Sequence, residues 1–306
     1  MSLAVSPEAV TQELAGATQP GQSLGRNWLR YARRNRQLIV GLALLGMLLL
    51  FVILGNLLYD TSRFRPLSVP QGRPPGPGMP FGSDAQGRDL LAVMIVGTPL
   101  TLYIGLLAGI IGVVIGTLLA FSSAYYGGTY DAVVRAIVDV GLTIPGLLVL
   151  VILAVSLKTA MTVEMMALVV AALAWLWPTR TIRSQVLTMR ERAYVQVARL
   201  SGMSGPRIIL FEMVPNLLPY LAASLVAAIS SAILASIGLE ALGLGATEAP
   251  TIGMTIFWVI FYGALLQGMW WWFAPPIVVI VILFMGLFGL SAGLDEIANP
   301  RMRKSI

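Results

Sequence analysis

Residues 249–294 read APTIGMTIFWVIFYGALLQGMWWWFAPPIVVIVILFMGLFGLSAGL, a run of 46 positions without one charged side chain. A bilayer core takes about 20 apolar residues per helical crossing, so this run holds either one span or two. That choice decides whether the chain crosses six times or seven. The distribution of Lys and Arg arbitrates, because loops on the inner side of a membrane are enriched in both. With six spans and both termini inside, Arg26, Arg30, Arg33, Arg34, Arg36 and Arg135 lie inside, with the six arginines between 180 and 207 and with Arg301, Arg303 and Lys304. That is 15 of 20; a seventh span lowers the count to 12 of 20. Arg63, Arg65, Arg73, Arg88 and Lys158 fall outside. The reading is therefore six spans, the last at 276–294. Residues 251–269, with Trp270, Trp271 and Trp272 beside Pro275 and Pro276, become an interfacial or re-entrant element at the outer headgroups, where Trp is enriched.

The rest of the chain agrees with lipid as its solvent. Of 306 residues, 57% are hydrophobic and 11% charged, against roughly 45–50% and about 25% in soluble domains. With no Cys and no His, thiolate and imidazole metal sites and His-based triads are excluded. The two lysines, Lys158 and Lys304, sit in no GxxxxGK[ST] frame, so the chain has no phosphate loop of its own. Residues 1–23 read as a disordered cytoplasmic tail. Residues 24–90 carry the first span, 38–58, and an external Pro-rich loop, 59–89, whose prolines cannot continue a helix. Residues 91–296 form the main transmembrane unit, with spans within 99–124 and at about 136–156, 162–177 and 217–239. A basic cytoplasmic tail, 297–306, closes the chain. The predicted fold class is an all-α integral membrane protein of six transmembrane helices.

Between 180 and 216 lies the one long polar, basic segment, and it reads as folded. Residues 190–200 are good helix formers, and Ser201-Gly202 supplies a stop with Gly at the left-handed cap position. Ser204 is placed to cap a second helix with Pro206 in its first turn, and Pro215 is expected to end it. Two short helices joined at a glycine make a projecting knob that a soluble partner can grip.

Tyr194-Val195-Gln196-Val197-Ala198-Arg199-Leu200-Ser201-Gly202, followed by Val214-Pro215, resembles the EAA loop of bacterial ABC importer permeases. Ala198, Gly202 and Pro215 match that loop in identity and spacing, whereas Gln196, Val197 and Val214 depart from its usual Glu, Ala and Leu. Phe81 to Leu90, with Asp84, Gly87, Arg88 and Asp89, is similar to the G-T-D-x-x-G-R-D signature of the dipeptide and oligopeptide subfamily. Tyr125 to Gly128, Ile237 to Gly245, and Leu294 to Arg301 resemble further landmarks of it. In order and extent the resemblance favours the C-type partner of the permease pair. It implies the type I permease fold, a paralogous permease beside this one, two cytoplasmic ABC ATPases and an external binding protein. It also implies that ATP and Mg are bound in the ATPases, with no cofactor, catalytic residue or metal in this chain, and no nucleic-acid partner. Tyr194, Gln196, Val197, Ala198, Arg199, Gly202 and Pro215 are then the residues that couple to the ATPase. Small Ala198 would permit close docking, and Arg190, Arg192 and Arg199 would face acidic groups at the rim of its cleft.

Charge within the spans is sparse. Asp131, Arg135 and Asp139 recur at four-residue spacing on one helix face, and Asp131 with Arg135 reads as an i,i+4 pair. Asp84 and Arg88 are spaced to pair across a turn and hold the outer loop to the helix ends. Asp139 is the residue on which a competing reading, a proton-coupled secondary transporter, would depend. A channel lacks a filter sequence, and a membrane enzyme lacks a nucleophile–base pair or metal set. The resemblance implies short peptides as the substrate class, with oligosaccharides or nickel as alternatives.

Overall fold

The computed structural model describes residues 35–157 and 160–298. The expected tail at 1–23, Arg26 to Arg34, Lys158, and Arg301 to Lys304 lie outside them. Helix α1, Arg36–Leu58, starts at Asn35, whose side-chain oxygen accepts from the Leu38 N–H at 3.1 Å. A single 3₁₀ turn, Thr61–Phe64, opens the loop that follows. Helix α2, Leu90–Tyr126, has 37 residues and is roughly 55 Å long at 1.5 Å per residue. It begins nine residues before the expected 99, because Asp89 Oδ1 accepts from the Leu91 and Ala92 N–H groups and nucleates the helix there.

The expected continuous span at 136–156 is broken. Helices α3, Gly128–Thr143, and α4, Gly146–Ser156, meet at 88°. Pro145 has no N–H to donate and drives Ile144 out of the helical region, to φ −79° and ψ 132°. Helices α5, Val163–Ala174, and α6, Leu176–Arg190, bend by 40° at Trp175 and carry the expected 162–177 span well beyond 177. After α7, Ala193–Leu200, and the short α8, Gly205–Ile208, a π-helical turn, Ile209–Met213, runs into α9, Val214–Ala241. Pro215 therefore does not end a helix. The π turn, where the Val214 N–H reaches Ile209 O, shifts the register so that the proline falls in the first turn of α9, where no N–H is needed.

Helix α10, Ile252–Phe261, spans ten residues, about 15 Å, which is half the hydrocarbon thickness. It is no seventh crossing. The last helix, α11, Trp270–Ala298, starts six residues before the expected 276 and takes the three tryptophans and both prolines into its own first turns. Among the described residues, four helical paths, α1, α2, 205–241 and α11, are long and apolar enough to cross a membrane. The two bent pairs bring the number to six when each pair counts as one crossing.

Glycines decide how closely these helices approach. A Cβ on Gly41 of α1 would lie 2.6 Å from Leu290 N and 2.8 Å from Gly286 O, so α1 and α11 touch backbone to backbone. Along α2, Gly105 and Gly109 admit Ile233 and Ile229 of α9, and Gly112 and Gly116 admit the bend between α5 and α6. Helix α2 is thus the centre of the bundle, antiparallel to α9, with Ile229 level with Gly109 and Ile233 level with Gly105.

Candidate functional site

The knob stands at the end of the bundle reached by the C-terminus of α2. Helix α6 stops at Arg190 because Glu191 turns and Arg192 is extended, so α7 begins at Ala193 and not at 190. Its closure is a Schellman motif, with the Gly202 N–H on Arg199 O and the Met203 N–H on Ala198 O, both at 3.1 Å. Gly202 has φ +77°, and nothing lies within 4 Å of where its Cβ would be. The requirement for glycine there is conformational and not steric. Ser204 occupies the cap position of α8 without a side-chain cap bond.

Helix α7 has two faces. Val195 and Ala198 are buried with Ala120, Phe121 and Ala124 of α2 and with Ile182 and Val186 of α6. Ala198 therefore packs inward, which corrects the expectation that it docks a partner: it is small because α7 lies down on its own bundle. Gln196 also bonds within the chain, its Nε2 donating to Arg190 O at 3.2 Å and closing the end of α6. Arg190 Nη1 donates to Ala124 O at 2.9 Å, and the Arg199 guanidinium lies 5.6 Å from the Tyr125 ring centroid. What faces outward is Tyr194, Val197 at 62% exposure and Leu200 at 87%. Leu210 and Phe211, on the adjoining π turn, are also exposed, and sequence reasoning passed over both. The outward surface is an apolar ridge flanked by Arg192 and Arg199.

The knob is fastened to α3 from behind. Arg183 of α6 grips Asp131 with both ends of its fork, Nε donating to Oδ1 at 2.6 Å and Nη2 to Oδ2. This corrects the expected Asp131–Arg135 pair. Asp131 shares the inward stripe of α3 with Val134 and Val138, whereas Arg135 and Asp139 are exposed on this chain. A guanidinium arriving from α6 also matches carboxylate geometry better than a neighbour on the same helix. Neither Arg135 nor Asp139 makes an ion pair among the described residues.

At the other end, the loop 59–89 is locked by its charged residues. Asp84 Oδ1 accepts from the Gln86 and Arg88 N–H groups, and Oδ2 accepts from Arg88 Nε at 2.6 Å, with both side chains buried. The pair closes a loop turn and not a helical one. Gly87, at φ +72°, makes that turn, and a Cβ on it would stand 2.7 Å from Val69 O. Asp89 caps α2 with one oxygen and takes the Tyr59 hydroxyl at 2.6 Å with the other, 3.5 Å from Arg63. Burial, then the bond to Asp89, pushes the Tyr59 phenol up to about 12. Trp271 of α11 donates its indole N–H to Ser83 O at 3.2 Å. These contacts tie α1, α2 and α11 together at one level.

One buried group, quoted above only within the landmark Ile237 to Gly245, was not singled out as an ionisable residue at the end of a span. Glu240 in the last turn of α9 is fully buried, one residue past the expected span at 217–239. Its signal was present: it is the single charge between Glu212 and Glu248, and an ionisable side chain inside a span is a functional candidate by default.

Comparison with known proteins completes the picture. Residues 112–304 match the family described as "binding-protein-dependent transport system inner membrane component". The oligopeptide transport system permease protein OppC of Mycobacterium tuberculosis (strain ATCC 25618 / H37Rv) is 31% identical over 227 residues, covering 72% of this chain and 76% of its own. The dipeptide transport system permease protein DppC of Bacillus subtilis (strain 168) is 27% identical over 293 residues, 96% of this chain and 91% of its own. OppC of the same organism is 26% identical over 284 residues, with 92% and 91% covered.

Proposed function

This chain belongs to the family of inner membrane components of binding-protein-dependent transport systems, and from that premise we propose that it forms half of the path for short peptides in an ATP-driven importer. The single observation that carries the coupling part is the apolar ridge of Tyr194, Val197 and Leu200 on a knob whose other face is fixed to the bundle. A ridge held this way passes force to the spans and does not absorb it by local folding. With no phosphate loop in the sequence, the energy comes from partners: two ATPases that bind ATP and Mg and close on the knob, a second, paralogous permease, and a binding protein that delivers the substrate. Peptide as the substrate class follows the names of the relatives; oligosaccharides and nickel are the classes to test against it. The chain is a multi-pass membrane protein, and the charge asymmetry of its sequence supports knob and termini on the cytoplasmic side.

Two measurements test this reading. In the Cys-free background, Gly76→Cys should label from outside and Ser305→Cys only from inside; outside labelling at 305 would overturn the orientation. The whole complex in proteoliposomes, with ATP inside and the proton gradient collapsed, should take up radiolabelled tri- to pentapeptides. Asp139→Asn should leave that uptake within about twofold of wild type, since Asp139 is exposed and makes no ion pair among the described residues. Uptake that vanishes with the gradient and with Asp139→Asn would establish a proton-driven carrier instead.

A further inference from the structure

We propose that Glu240 and Thr251 form a buried clasp through which movement of the knob reaches the outer helix α10, making both positioning residues for transport. The inference rests on the reading above, that this chain is driven through its knob.

The helical path that leaves the knob at Gly205 continues to Ala241, 37 residues in all, or roughly 55 Å. Glu240 stands in its last turn. The antiparallel register with α2, set by Ile229 at Gly109 and Ile233 at Gly105, brings Glu240 level with Thr98, about 12 Å inward from Leu90 along α2. Glu240 Oε1 accepts from Thr251 Oγ1 at 2.9 Å, and that same hydroxyl oxygen accepts from the Met254 N–H at 3.2 Å, capping α10. The carboxyl is enclosed. A Cβ on Gly253 would lie 2.1 Å from Oε2, and a Cβ on Gly245 would lie 2.7 Å from Cγ. Oε2 lies against the Gly253 backbone, and no ion pair reaches Glu240 among the described residues. An isolated acid at this depth is costly, and packing alone would be served better by an apolar residue.

The start of α10 is wired to a second helix as well. The Ile252 N–H donates to Thr101 Oγ1 of α2 at 3.0 Å, and Pro250 O fits only because residue 97 is glycine. Helix α10 is thus held by α9 through Glu240 and by α2 through Thr101, within two residues. A slide of α9 along α2 must break one of these bonds or tilt α10, which is the condition for a shear-type switch. The far end of α10 leads to Tyr262, whose ring lies 5.8 Å from that of Trp272. Beyond it comes Leu266, 95% exposed, at the end of the bundle where a binding protein would deliver substrate. Movement entering at the knob therefore has a continuous route to the outer surface.

The test uses the whole complex with its binding protein in proteoliposomes and radiolabelled tri- to pentapeptides as probe. It reads peptide taken up per ATP hydrolysed, normalised to assembled complex. Thr251→Val and Glu240→Leu should lower that ratio on the order of tenfold, equivalent to about 1.4 kcal/mol of coupling, with ATP hydrolysis itself retained. Glu240→Gln, which keeps an acceptor oxygen, and Thr251→Ser, which keeps the hydroxyl, should restore most of it. The double variant Glu240→Leu with Thr251→Val should be no worse than the poorer single one. A merely structural bond would lower the amount of complex and leave the ratio unchanged, and that result overturns the clasp. Where Glu240→Leu fails to assemble, the near-isosteric Thr251→Val decides. Wild-type complex without ATP-dependent uptake would overturn the importer reading and the clasp with it; wild-type uptake with normal coupling in Thr251→Val would overturn the clasp alone.

Discussion

Gly202→Val is expected to lower ATP-driven uptake by about one to two orders of magnitude while leaving the spans assembled. Gly202 occupies the left-handed position that closes α7, where a β-branched residue is strained by about 1–3 kcal/mol. The surroundings are open, so no clash with a neighbour adds to this. The strain is relieved by losing the two bonds that Gly202 and Met203 make to the last turn of α7. That releases Leu200 and Val197 from the ridge proposed as the seat of the ATPase. Loss of one to two orders of magnitude in uptake, with the ATPase subunits no longer co-purifying at wild-type level, follows from that range of strain at about 1.4 kcal/mol per tenfold. Gly202→Asn is the control, because Asn tolerates the left-handed region, and it should retain most activity. Full uptake by the Val variant would show that the knob does not carry the coupling.

The second large effect belongs to the opposite end. Arg88→Ala should reduce the yield of assembled complex severalfold or more, because it strands Asp84 as a buried charge; breaking such a pair on one side costs about 3–5 kcal/mol. The loop that Asp84 organises holds Trp271 of α11 through Ser83, so the damage reaches the helix ends. Asp84→Asn combined with Arg88→Met should recover part of the loss, since Asn keeps the oxygen that accepts from the Gln86 and Arg88 N–H groups and no net charge is left buried. Thermal stability of the purified complex and its yield are the measurements. Normal assembly of Arg88→Ala with an altered substrate preference would mean that the loop selects substrate and does not brace the bundle.

What the sequence determined by itself is what a one-dimensional pattern can carry. Runs of about 20 uncharged residues specify helices in lipid because every backbone polar group there must be satisfied within its own segment. The weight of Arg and Lys on one side of those runs is what the expected orientation rests on. Gly202 after the helix-forming stretch 190–200 specifies a left-handed stop, since that conformation is disfavoured for other residues by local sterics alone. What only the tertiary structure decided is which groups meet when each has several partners within reach of its own spacing. Asp131 had Arg135 one turn away and pairs with Arg183, 52 positions on, because the inward stripe of α3 aims it at α6. Ala198 matched a docking motif and faces its own core, because α7 lies flat on α2 and α6. Pro215 read as a terminator until a π turn absorbed it. Glu240 lay one residue beyond an expected span, and its meaning came from Thr251 and from two glycines that only the turn at 242–251 brings against it. Burial and pairing depend on distances between segments far apart in the chain, and spacing along one helix does not encode those distances.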